Sequence, residues 1–130
     1  MSFLPEYYIG LFVIKRSFVL PVKKRLGGES MSFKFKPGFL LGAATSATQI
    51  EGGDLGHNWN DWYRQGRIKD GSDPARADDH YNRWREDADL MVDLGLQVYR
   101  FGIEWARICP APDRVDEAAI AHYREEMIYL

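Results

Sequence analysis

Residues 39–53 read FLLGAATSATQIEGG. The run opens on bulky apolar side chains, narrows to glycine and alanine, and ends in a polar cluster, Thr45, Ser46, Thr48, Gln49 and Glu51. A continuous apolar run of this length is the pattern of a strand buried on both faces, as in a parallel sheet. Apolar followed by polar delivers the polar groups to the rim of that sheet. The spacing predicts a first strand over residues 39–45. Ahead of it, residues 33–37 alternate polar and apolar side chains and stop at Pro37, which reads as a lead-in strand or an extended arm.

Downstream, residues 52–56 and 70–74 carry loop chemistry. Between them NWNDWYRQ, residues 58–65, predicts a short helix whose Trp59, Trp62 and Tyr63 read as core or rim packing. The clearest helix covers residues 77–94. There Tyr81, Trp84, Ala88 and Met91 recur at three- and four-residue steps, Asp78 and Asp79 suit the positive end of the helix dipole, and Gly95 follows as a C-terminal cap. QVYRFGI, residues 97–103, predicts the second strand. Pro110 and Pro112 then break the chain, and Asp116 caps a last helix running to Met127. The order strand, helix, strand, helix implies an α/β fold with parallel strands.

Composition bounds the function. The 130 residues are enough for one ordinary domain, and 45% hydrophobic residues can fill a core. A net charge of −2 gives no basic surface for nucleic acid. The single Cys109 excludes an internal disulfide framework and fits a reducing, cytoplasmic compartment. Residues 1–30 differ from the rest, carrying five Lys/Arg against two Glu. Their apolar runs, 7–14 and 17–22, fall short of the roughly 20 residues that span a membrane, and the basic pair Lys15–Arg16 lies on the wrong side for a secretory signal. Gly27-Gly28-Glu29 would be encoded by a purine-rich stretch just before Met31, resembling a bacterial ribosome-binding site. The expectation is that translation starts at Met31, residues 1–30 being a non-native extension and residues 31–130 the functional segment.

Several side chains could carry chemistry. On the second strand Val98, Arg100, Gly102 and Glu104 share one face, and Tyr99, Phe101 and Ile103 the other. With the bulky face under helices, Arg100 points among small neighbours, where a buried guanidinium must meet an anion. That anion is either a structural partner, Glu104 or Glu51, or a catalytic carboxylate that Arg100 orients. Gln49 offers a donor and an acceptor, which suits the neighbouring hydroxyls of a sugar or the stapling of a loop. Glu51 reads as a holder of loop backbone, and with Glu104 as a candidate carboxylate pair. His80 caps or packs the long helix. His57 and His122 lack metal-ligand partners at usable spacing, Cys109 lacks a companion for nucleophilic chemistry, and phosphate-loop and dinucleotide motifs are absent.

Three ordered blocks, FLLGAATSATQIEG, ADDHYNRWREDADLMVDLG and YRFGIEWARI, closely resemble the N-terminal part of glycoside hydrolase family 1, the β-glucosidase family. Family members usually read something like FLWGAATASYQIEG, DHYHRYKEDVALMKELG and YRFSISWPRI. Here Leu41 replaces the common Trp, Thr48 the Tyr and Ala106 the Pro, and Glu104 stands where Ser is frequent. The resemblance implies a (β/α)8 TIM barrel with its site at the C-terminal ends of the strands. It also implies a retaining mechanism with one glutamate as acid/base and one as nucleophile. It implies that Gln49 binds hydroxyls of the glycone, that Arg100 lies beside the nucleophile, and that Glu51, His80 and Trp105 are structural supports.

The acid/base belongs to an NEP-type motif and the nucleophile to an ENG-type motif, and neither occurs in the 130 residues. The expectation is an incomplete barrel, its first two βα units, with both catalytic glutamates beyond Leu130. The implied substrate is a small-molecule β-glycoside; no metal or organic cofactor, nucleic acid or membrane is implied. A 6-phospho-β-glycosidase is the nearest alternative. A non-catalytic, carbohydrate-binding remnant stacking sugars on Trp59 and Trp62 is the alternative from another class.

Overall fold

A computed structural model describes residues 9–13, 35–53 and 55–130. Its sheet has three strands, β1 (Ile9–Val13), β2 (Gly42–Ala44) and β3 (Val98–Gly102), in the order β1-β3-β2. β2 runs parallel to β3, pairing Gly42 with Val98, Ala43 with Tyr99 and Ala44 with Arg100. The connection between them contains α1 (Ala47–Ile50), α2 (Asn58–Arg64) and α3 (His80–Asp93). α4 (Trp105–Ile108) and α5 (Glu117–Tyr129) follow β3. The predicted parallel strand–helix–strand–helix order is therefore present, with the single-turn helices α1 and α4 added at the ends of the two parallel strands. β1 lies antiparallel on the other edge of β3, Ile9 opposite Gly102 and Val13 opposite Val98. The start-site expectation at Met31, and residues 33–34 of the lead-in, lie outside the described residues; residues 35–38 form a turn closed by Phe39 N–H donating to the Lys36 carbonyl, 3.0 Å.

β3 sorts its side chains as the alternation requires. Tyr99 (0% exposed) and Phe101 face the core with Met91, Ile108, Ala119 and Tyr123. Gly42 sits where a Cβ would come within 2.5 Å of the Val98 carbonyl oxygen, so only glycine lets β2 lie this close to β3. β2 is shorter than the predicted 39–45, and that expectation is corrected in burial too. Phe39 and Leu40 are each 54% exposed. A strand buried on both faces needs a layer on each side, and among the described residues the core lies on the Tyr99/Phe101 side only.

α3 begins at His80 rather than 77, because the preceding backbone is spent on the end of α1. Asp78 N–H donates to the Ile50 carbonyl at 3.2 Å, and Asp79 takes a left-handed conformation, φ 58°. Its end follows the predicted glycine. Gly95 (φ 71°) donates to Val92 and Leu96 to Met91, the paired bonds of a Schellman cap. The last helix is capped as expected, the Asp116 carboxylate accepting from Ala118 and Ala119 N–H. No helix among the described residues is long and apolar enough to cross a membrane.

Candidate functional site

The polar end of residues 39–53 leaves β2 through Thr45, whose hydroxyl shares a 2.7 Å hydrogen bond with Tyr99 Oη; burial pushes the Tyr99 phenol up to about 12, against that bond. The chain then makes one turn, α1, with Ala47 buried and Gln49 exposed. Glu51 follows it and is 4% exposed. Its Oε2 accepts from Arg107 Nε at 2.7 Å, and both oxygens accept from Tyr123 Oη, at 2.9 and 2.8 Å. Arg107 also donates to the Gly52 carbonyl and lies 3.7 Å from the Tyr81 ring centroid. A Cβ on Gly53 would stand 3.1 Å from this guanidinium, and Gly53 has φ 95°, so the turn is open to glycine on both counts. Burial raises the Glu51 carboxyl above its ordinary range, and the Tyr123 and Arg107 hydrogen bonds oppose that without cancelling it.

Glu104, just past β3, is also buried. Its carboxylate accepts from Thr48 Oγ1 at 2.9 Å and from Ala106 N–H at 3.3 Å, capping α4. Its own N–H donates to Tyr123 Oη at 3.1 Å. One phenol thus stands between the two acids weighed as a pair. Each acid is held by its own donors, an arrangement that ties α1, α4 and α5 together.

Beneath this centre His80 Nδ1 meets Asp87 at 2.6 Å and Nε2 meets Glu126 at 3.2 Å. Burial would lower the His80 pKa, but the two carboxylates outweigh it and hold the imidazole above its ordinary value. His122 stacks on Tyr81, centroids 3.8 Å apart, and burial lowers its pKa.

Arg100 is corrected in its surroundings. It is exposed, on the sheet face it shares with Ala44, and among the described residues no carboxylate lies within ion-pair distance. Glu51 and Glu104, its expected structural partners, are held instead by Arg107 and by Thr48 and Ala106. Trp105 opens α4 and is 44% exposed. His57 caps α2, its Nδ1 accepting from Asn60 N–H at 3.2 Å. Arg107, Tyr123 and Glu126 were missed as polar centre residues. A signal existed for the last two, since Ala119, Tyr123 and Glu126 lie on one stripe of α5 at steps of four and three, and an acid on a buried stripe needs a donor.

Residues 31–128 match the profile of glycosyl hydrolase family 1. The chain belongs to this family. Over 83 residues it is 48% identical to "Probable inactive beta-glucosidase 14" of Oryza sativa subsp. japonica, covering 59% of this chain and 16% of that protein. Over 97 residues it is 41% identical to "Beta-glucosidase A" of Thermotoga maritima, covering 69% of this chain and 22% of that protein. Among solved structures it resembles a β-glucosidase from Thermotoga maritima in complex with methyl acetic acid-substituted glucoimidazole, with a TM-score of 0.66 and 38% identity over 75% of this chain and 24% of that one. The chain thus spans about a quarter or less of the length of these relatives. Such family 1 enzymes have the TIM-barrel fold, and the mixed helix-and-strand order of β2 to α5 fits a part of it.

Proposed function

We propose that residues 39–130 are the first two βα units of a retaining β-glucosidase barrel acting on terminal β-D-glucosides. Gln49 binds glycone hydroxyls. Arg100 stands beside the nucleophilic glutamate, which together with the acid/base comes from sequence outside these 130 residues. The observation that carries this reading is the placement of the two side chains. Gln49 follows the C-terminal end of β2, and Arg100 is exposed with no carboxylate partner among the described residues, on the sheet face opposite the core. Barrel enzymes work at the C-terminal ends of their strands. A retaining pair needs one carboxylate ionised and one protonated, about 5–5.5 Å apart. A guanidinium beside the first keeps its pKa down, so that it attacks as the anion. The β-glucosidase names of the relatives support an unphosphorylated glycone.

The 130-residue chain alone hydrolyses no glycoside in this reading. The test is a hybrid in which residues 31–128 replace the matched segment of the Thermotoga maritima Beta-glucosidase A. It should cleave an aryl β-glucoside, and Gln49→Ala should cut kcat/KM by about 100-fold, the loss of two hydrogen bonds to the sugar at about 1.4 kcal/mol each. An active hybrid whose Gln49→Ala variant keeps full kcat/KM would refute the assignment, as would Gln49-dependent hydrolysis by the 130-residue chain alone.

A further inference from the structure

Thr48, the residue before Gln49, gives its hydroxyl to Glu104 Oε2 at 2.9 Å, while Glu104 Oε1 takes the Ala106 N–H at 3.3 Å. Glu104 is 9% exposed, so this carboxylate is committed to those donors. α1 is a single turn, and its N-cap Ser46 makes no side-chain cap bond. A turn this short has almost no stability of its own. Its place is set by the groups that tether it: buried Ala47, the Glu51–Arg107 pair and the Thr48–Glu104 bond. Residues 48, 104 and 106 are three of the positions at which this chain departs from the common family pattern of Tyr, Ser and Pro. In this structure those three departures form a single contact set. Proline at 106 would have no N–H to give, and serine at 104 would have no carboxylate to receive two donors.

We propose that Glu104 is a positioning residue for glycone recognition, its carboxylate latching Thr48, and so the Gln49 turn, to the end of β3. The latch rests on the reading of Gln49 as a glycone ligand. It acts on where the Gln49 amide waits for the sugar, so its loss shows in binding before it shows in turnover. Thr48, Glu104 and Ala106 work as one unit, so the second substitution in the set costs little once the first is made.

The test uses the hybrid enzyme, with KM and kcat for an aryl β-glucoside and the inhibition constant of glucoimidazole as readouts. Glu104→Ser should raise KM and the inhibition constant about five- to tenfold, the worth of one ordinary hydrogen bond, with kcat within about twofold. Thr48→Val, which leaves Glu104 in place, should have the same signature. The double variant should be no worse than either single. Unchanged KM in Glu104→Ser and Thr48→Val, with Gln49→Ala still impaired, would overturn the latch and leave the Gln49 reading standing. Additive losses in the double variant would also overturn it. An unimpaired Gln49→Ala would remove the Gln49 reading itself, and the latch with it.

Discussion

Replacing Tyr123 by Phe keeps the ring and deletes one hydroxyl from the middle of the buried centre. That hydroxyl donates to Glu51 and accepts from the Glu104 N–H. The hydrogen bond to a carboxylate is worth about 1.5–3 kcal/mol, and an orphaned buried N–H costs about 1–3 kcal/mol. Because the two losses overlap and no cavity forms, the substitution should cost about 2–4 kcal/mol. In native-state hydrogen exchange on the hybrid enzyme, the amides of Glu51 and Arg107 should exchange about 30- to 1,000-fold faster than in the parent. The effect should depend on pH. The Glu51 pKa is raised in the folded protein, so its contribution to stability is full below the unfolded value, 4.5, and is lost as pH rises through the folded value. The Tyr123 hydroxyl favours the ionised form. Without it the folded pKa climbs further, and holding the anion costs more. The exchange ratio should therefore be larger near pH 8 than near pH 4. A ratio under about threefold, or one that is flat across that range, would refute the reasoning.

Arg107→Met leaves the Glu51 carboxylate without its cation and should cost about 3–5 kcal/mol, read as a lowered melting temperature; Arg107→Lys should recover little, since one ammonium cannot reproduce the guanidinium fork on Glu51 and Gly52. His80 has a raised pKa, so its stabilisation is full below 6.5 and lost as pH rises through the folded value. An NMR titration of the His80 ring should place its midpoint above 6.5, and Glu126→Gln should bring it down. The 130-residue chain exposes Phe39, Leu40, Leu94 (65%) and Ile128 (75%), so it should self-associate by light scattering and bind a hydrophobic dye; a monomer that binds none would contradict this.

The main elements were legible because their signals are local. The stripe of Trp84, Ala88 and Met91 made α3, Gly95 ended it, and Asp116 began α5. The alternation of β3 correctly put Tyr99 and Phe101 in the core. α1 and α4 were not legible. Each is one turn long, too short for a periodic pattern, and each owes its position to contacts 56 residues away. Arg100 was misplaced for a related reason. Its face was read correctly, but whether that face is covered depends on what packs there, which strand alternation does not encode. The Glu51 partner was missed because it was sought in Arg100 on the strand, and only the turn of α4 brings Arg107 back to Glu51.

The Tyr123–Glu51 contact joins residues 72 apart. Closing a loop of that size costs about 4 kcal/mol in chain entropy from its length alone. Prior α3 and β2–β3 contacts shorten that loop and lower the cost, and the Glu51 carboxylate stays hydrated until α5 docks. The buried acid is therefore dehydrated and given its phenol in the same event. If α5 docks after the rate-limiting step, the Tyr123 hydroxyl slows unfolding and leaves folding untouched, and Tyr123→Phe acts on the unfolding rate alone.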